Sequence, residues 1–502
     1  MLTIGLIVIL CCAVCYYFKK KLDFFKERGI PYSPGSFITG HMTPFILRQK
    51  HISDMITDIY NSHADAKYVG AFNFTSPVIL LKDADLIKSV GIKNFENFYD
   101  HKRPSISLDP LIEANLINLT GSKWKEARSI LSPAFTLSKM KSMYESIVFC
   151  AKNFVEYLSE LPQSERNKMP TKELMQKFTS NVIGTCIFGI EVDSLKNPDD
   201  QFYLHACEAF EFESFLTKIK LSISVIFPKL LKSMNIRLVG DHVRNYFTQL
   251  VSSTVGFRDK KGISRPDMIQ LMMDARGKSQ HQKLDMDEMT ALALAFFFGG
   301  FDTITLQICI LAHQLTINPD IQQKLREEID EVLERTEGRP NYEDISNMPY
   351  LDAVFNESMR CDTQAPFLDR VCTKDFELPP ARPGGKPFTV KRGMVIWIPV
   401  LAIHRDSRYY EDPQKFDPER FYQKKVTGSD PTFLGFGIGP RGCIGSRLAI
   451  LEIKILFFYL LSKFLLKPNE NTTSTFVYDE ADGQISTKGR YWPTIEPRDV
   501  KY

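Results

Sequence analysis

The segment Phe436-Gly437-Ile438-Gly439-Pro440-Arg441-Gly442-Cys443-Ile444-Gly445 places a potentially reactive thiol among glycines. Without side chains on either side, a flat ligand can approach the sulfur. A helix starting just after Gly445 would aim its free N–H groups and positive dipole end at Cys443, favouring thiolate over thiol. A thiolate in that setting is a strong axial donor to iron. Arg441, two residues earlier, is placed to meet a carboxylate in a charge-assisted contact. Two other readings fit less well. Gly437-x-Gly439-x-x-Gly442 matches the dinucleotide fingerprint, but Pro440 interrupts it and no acid stands about twenty residues on. A core cysteine needs neither flanking glycines nor a neighbouring arginine.

Further pairs have the spacing of one helical turn. Glu357-x-x-Arg360 puts both side chains on one face, and Pro413-x-x-Phe416-Asp417-Pro418-Glu419-Arg420-Phe421 supplies a second arginine in a proline-fixed stretch. Trp124 and Arg128 are four apart, and Gly299-Gly300-Phe301-Asp302-Thr303 lies inside an apolar run.

Together these segments resemble the cytochrome P450 family. Phe436 to Gly445 matches the haem-binding pattern F-x-x-G-x-R-x-C-x-G at every fixed position. The resemblance implies haem b (iron protoporphyrin IX) with Cys443 as its axial ligand and Phe436 beside it. It implies that Trp124, Arg128, Arg370 and Arg441 reach the haem propionates. Glu357, Arg360 and Arg420 correspond to the family's buried Glu-Arg-Arg cluster, a structural support for the loop behind the thiolate. In the glycine motif, Thr303 offers a hydroxyl to dioxygen and Asp302 relays protons, which makes these two the catalytic candidates. Adjacent glycines cost roughly 1 kcal/mol each against Ala in a helix interior, and the expectation is a local widening there. Two departures from the family pattern stand out: Ile304 where Ser or Thr is common, and Cys361-Asp362-Thr363 in place of a proline-bearing segment. Elsewhere, stretches such as Leu131-Ser-Pro-Ala-Phe-Thr resemble microsomal, insect-type members of the detoxification-associated clan.

Elements must position these residues. Asp285 is a candidate N-cap for a long helix running to about Leu315 and stopped by Asn318-Pro319; apolar nearly all round, it should cross the core. A second helix begins near Pro349 and ends around Arg360, and a third runs from just after Gly445 to about Phe464. Pro77–Leu81 and Met394–Val400 read as strands. The fold class expected is mainly α (α+β): the cytochrome P450 fold, a large helical domain with a small β-sheet domain, preceded by one N-terminal transmembrane helix.

Residues 1–18 carry no charge and are followed by Lys19-Lys20-Lys21, which reads as an uncleaved membrane anchor with the rest of the chain cytosolic. Residues 19–35 form a basic and Pro/Gly hinge, and 36–502 one catalytic domain. A composition of 63 basic and 60 acidic residues argues against a nucleic-acid binder. No C-x-x-C pair occurs beyond the apolar N-terminus, so the ten cysteines suggest a reducing compartment.

The resulting expectation is a monooxygenase of the endoplasmic reticulum membrane that inserts one atom of dioxygen into a lipophilic small molecule, such as an insecticide or plant toxin. Having no nucleotide- or flavin-binding segment, the chain would take electrons from NADPH-cytochrome P450 reductase, with cytochrome b5 as a further partner; Lys123 and Lys125 are docking candidates. The pocket is expected to include Phe298, Gly299, Ala365, Phe367, the loop over 105–117 and Phe476. Alternatives are an endogenous hormone or fatty-acid hydroxylase, a haem-thiolate isomerase or dehydratase, and a non-enzymatic haem or ligand-binding protein. Isomerase relatives generally lack the Asp-Thr pair. A cysteine hydrolase would require a His beside Cys443, and the nearest in sequence is His404.

Overall fold

Asp285 begins the longest element among the described residues reciprocally. Its carboxylate accepts from the Glu288 N–H at 2.7 Å, while the Glu288 carboxylate accepts from the Asp285 N–H at 3.1 Å. Two donors that a helix start leaves open are thereby satisfied. The computed structural model describes residues 2–102, 115–166, 171–209, 240–276, 285–470, 472–474 and 493–498. In it the helix runs Met286–Ile317, two residues beyond the expected end, and Pro319 opens the next one.

The helices used below, numbered in chain order, are α1 (Leu2–Leu22), α2 (Gly121–Leu131), α3 (Leu137–Glu160), α4 (Thr171–Ile183), α5 (Gln201–Ala209) and α6 (Asp241–Lys261). They continue with α7 (Met286–Ile317), α8 (Pro319–Arg335), α9 (Pro349–Cys361), α10 (Val400–His404) and α11 (Ser446–Lys463). α4, α6, α9 and α11 all pack on α7, which therefore threads the core as its apolar circumference requires. The same length and composition would let α7 cross a membrane, but most of its apolar surface is buried in protein.

The strands are β1 (Tyr68–Asn73), β2 (Ser76–Leu81), β3 (Leu368–Val371), β4 (Phe376–Leu378), β5 (Phe388–Val390), β6 (Val395–Ile398), β7 (Phe464–Lys467) and β8 (Thr494–Pro497). The main sheet has the order β1-β2-β6-β3. Its centre is the parallel pair β2–β6, with Val78 opposite Val395 and Leu80 opposite Trp397. The two apolar stretches read from the sequence thus pair with each other, although more than three hundred residues separate them. β3 adds antiparallel to β6 and sets Arg370 opposite Ile396. Smaller sheets pair β4 with β5 and β7 with β8. One apolar cluster fills the helical body and another lies under the main sheet.

Helix α1 continues through Lys19-Lys20-Lys21, past the expected boundary at residue 18, and leaves Ile4, Leu6, Ile9, Tyr16 and Tyr17 exposed. The segment after it is tied down: Gly70 N–H donates to Pro31 O (2.8 Å) and Ser33 N–H to Gly70 O (3.0 Å), so the hinge lies along β1. The nine cysteines whose side chains are described are all free.

Candidate functional site

The loop around Cys443 is held by its own backbone. Cys443 N–H donates to Phe436 O at 2.7 Å and Gly437 N–H to Leu434 O at 2.8 Å. Gly437 and Gly439 have φ of 78° and 67°, and a Cβ on Gly439 would stand 2.1 Å from Gly91 O. Only glycine fits there. The N–H groups of Gly445 and Ser446, at the start of α11, face the sulfur, as does the Arg128 guanidinium. These contacts do not by themselves make a thiolate. Burial pushes the Cys443 thiol up, and it outweighs the pull of the two N–H groups and Arg128. The helix start thus favours the thiolate, as expected, without outweighing burial; a metal would have to displace the proton.

Although α7 is the longest helix among the described residues and runs deep in the protein, one of its faces is open. Gly299 and Thr303 are exposed, and Phe298 and Asp302 half-buried. Phe135 bridges this helix to the thiol loop: its ring lies 5.5 Å from that of Phe296 and 3.8 Å from where a Gly445 Cβ would stand. Cys443, although surrounded by protein, is likewise accessible at the surface of its loop. Gln364 donates to Thr303 O at 2.5 Å, bringing the half-buried Ala365 and Phe367 to the same face. Phe476 and most of the loop over 105–117 lie outside the described residues.

The expected widening at the glycines is not found. α7 is unbroken α-helix, and the Thr303 hydroxyl donates back to Gly299 O at 2.5 Å. The two glycines differ in what they do. A Cβ at Gly299 would meet nothing within 4 Å, whereas one at Gly300 would press to 3.3 Å against Ile183 of α4. We therefore expect Gly299→Ala to gain up to about 1 kcal/mol from helix propensity while its methyl narrows the open face and lowers turnover. Gly300→Ala should gain less, a difference that thermal unfolding of the two variants reads directly. Asp302 pairs with Lys172 of α4 at 3.9 Å. Ile304, one of the departures from the family pattern, is buried in the helical core.

The basic groups converge near the loop. The Arg441 guanidinium lies 4.1 Å from the Trp124 ring centre and donates to Tyr99 O (2.6 Å), Leu116 O (3.2 Å) and Leu119 O (2.7 Å), with Asp100 at 3.7 Å. Arg370 donates to Ile438 O at 3.3 Å and leaves its buried Nε without an acceptor. Burial pulls both arginines down to about 10. Burial lowers Arg128 as well, and no hydrogen bond of its guanidinium is found among the described residues. Asp369 is engaged by His101 at 2.9 Å and by the Lys102 N–H. The buried guanidiniums of Arg370 and Arg441 and the half-buried one of Arg128 thus face two carboxylates, one already shared. Two further carboxylates would complete the arrangement, which is what the propionates of a haem carry.

Behind the loop, Arg360 makes a bidentate pair with Glu357 (2.7 Å for both contacts) and donates to the carbonyls of His404, Pro413 and Lys415. Arg420 stands 3.5 Å from the same carboxylate. His404, which the sequence did not mark as part of this cluster, connects it to the loop. Its Nε2 accepts from the Leu434 N–H at 2.8 Å, which leaves the proton on Nδ1 for Arg360 O at 3.2 Å. Burial, then the Arg360 charge, push His404 down to about 3, so it stays neutral. Cys361 also joins, its sulfur accepting from Arg360 at 3.0 Å, while Asp362 accepts from Gln314 of α7 at 2.9 Å. The segment replacing the family's proline is therefore engaged in polar contacts.

A mainly helical chain with a cysteine loop set against a helix start, and with a basic cluster beside it, has the arrangement that a haem-thiolate oxidoreductase requires. The cytochrome P450 family profile matches residues 33–489. The chain is 39% identical to cytochrome P450 9e2 of Blattella germanica over 95% of its own length and 94% of that protein's. It is 35% identical to probable cytochrome P450 9f2 of Drosophila melanogaster (95% of each) and 32% identical to cytochrome P450 6k1 of Blattella germanica (92% and 90%). The chain belongs to the cytochrome P450 family and is a haem monooxygenase.

Proposed function

We propose that this enzyme oxygenates lipophilic xenobiotics, of the insecticide or plant-toxin kind, with electrons from NADPH-cytochrome P450 reductase. The carrying observation is the open face of α7, where Phe298 and Gly299 present apolar surface and Thr303 and Asp302 the polar groups, on the side Phe135 joins to Cys443. Such a lining suits an apolar ligand with one or two points of orientation. Bound haem supplies dioxygen activation and O–O cleavage.

The protein's own groups do the rest. Cys443 would bind the haem iron, and Arg128, Arg370, Arg441 and Trp124 would hold the propionates, with Phe436 beside the loop. Ala365 and Phe367 close the pocket. The Thr303 hydroxyl and Asp302 carboxyl move protons, and Lys172, 46% exposed, connects Asp302 to solvent. The exposed apolar surface of α1 and its terminal lysines support anchoring in the endoplasmic reticulum membrane, with residues 36–502 facing the cytosol. Of the docking candidates, Lys125 already pairs with Glu96 at 3.0 Å, which leaves exposed Lys123 the better one for an acidic reductase surface. Cytochrome b5 would reach the same side.

Reconstitution with reductase, NADPH and a panel of lipophilic compounds tests the reading. Spin-state shifts should pick out a subset of compounds, and these should yield oxygenated products only when NADPH, dioxygen and reductase are all present. Equal product from a peroxide substrate without reductase would replace it with the isomerase reading.

A further inference from the structure

Away from the thiol loop, two histidines and a glutamate from different helices converge. His205 and Glu208 lie three apart on α5, and His242 lies in the first turn of α6. Glu208 Oε2 is 3.0 Å from His205 Nδ1 and 3.1 Å from His242 Nε2. The three ligand atoms all fall within 4.8 Å of one another, the one such group among the described residues. The His205 ring is fixed by Tyr246, 4.3 Å away between centres, and only 19% of its side chain is exposed. Gly240 makes room for His242: a Cβ there would stand 2.7 Å from its Cε1.

We propose that His205, Glu208 and His242 form a binding site for a divalent transition metal, Zn2+ being the best fit, that staples α5 to α6. Two imidazoles and one carboxylate are the donor set of zinc, whereas calcium and magnesium take oxygen ligands throughout. In a tetrahedral site with bonds of about 2.0–2.1 Å, ligand atoms lie roughly 3.3 Å apart. The two nitrogen–oxygen separations are within a few tenths of that value. On binding, the metal replaces the contacts to Glu208, each imidazole coordinates as the neutral tautomer with its proton on the other ring nitrogen, and water takes the fourth position. The staple also bears on the core. Phe202 of α5 contacts Phe247 of α6 (5.8 Å) and Phe297 of α7 (5.9 Å), so the metal fixes two helices that rest on α7.

Exposed cysteines elsewhere, Cys12 and Cys15, also attract zinc, so the test is a difference. Equilibrium dialysis of the full-length holoenzyme against Zn2+ should retain one equivalent more than His242→Gln or Glu208→Gln retains. Zn2+ should raise the unfolding temperature of the wild type and leave both variants unmoved, while Ca2+ moves none of them. His242 is 65% exposed, so its substitution leaves the fold intact. Equal stoichiometry in wild type and variants, or an equal response to Ca2+, would overturn the site and leave a hydrogen-bonded cluster.

Discussion

The Cys443→Ala protein should fold and yet lose monooxygenase activity to background, together with the ferrous-carbonyl absorption band that marks thiolate ligation. The reason lies in how the loop is built. Its shape depends on backbone groups, chiefly Cys443 N–H to Phe436 O, Gly437 N–H to Leu434 O and the left-handed Gly437 and Gly439. None of these uses the sulfur, so removing it subtracts the proposed iron ligand and little else. A Cys443→His variant separates ligation from folding: it keeps a donor at the same point but should give the carbonyl band of an imidazole-bound haem. Far-ultraviolet circular dichroism near that of the wild type would exclude unfolding as the cause. A thiolate-type band surviving in Cys443→Ala would mean that another cysteine binds the iron. The assignment would then fail.

How far the sequence foretold this arrangement depends on how local each feature is. The N-cap at Asp285, the stop at Asn318-Pro319 and the Gly-rich loop rest on neighbours in the chain, and each was readable, though the reciprocal bond from Glu288 was not read. β2 and β6 were legible as strands but not as partners, since pairing residue 78 with 395 is a matter of topology. His404 was opaque because nothing in Val400-Leu401-Ala402-Ile403-His404 distinguishes a connector from a core residue; its meaning comes from Leu434 and Arg360, thirty and forty-four positions away. The pair Lys172–Asp302 and the cluster of His205, Glu208 and His242 were hidden for the same reason. The glycine pair misled for a different one. A helix penalty suggested distortion, but Thr303 bonds back to Gly299 and the unbroken helix uses Gly300 to admit Ile183.

Replacing Glu357 should be the most damaging change for stability. Its carboxylate, wholly buried, accepts two hydrogen bonds from Arg360 and one from the Asp417 N–H at 2.8 Å, with Arg420 alongside. Glu357→Gln keeps the volume but leaves Arg360 buried without a counter-charge, at a cost of about 3–5 kcal/mol. Arg420→Met should cost less, about 1–3 kcal/mol, because Glu357 keeps its closer partner. Urea unfolding of both variants measures this order. The effect should also reach the thiol loop, because the Arg360 carbonyl positions His404, His404 holds the Leu434 N–H, and Leu434 O holds Gly437. Haem should therefore pass from Glu357→Gln to an acceptor globin faster than from the wild type, even where the protein remains folded. If the variant lost several kcal/mol but released haem at the wild-type rate, the cluster would be a support for the fold alone and the route through His404 would carry no coupling.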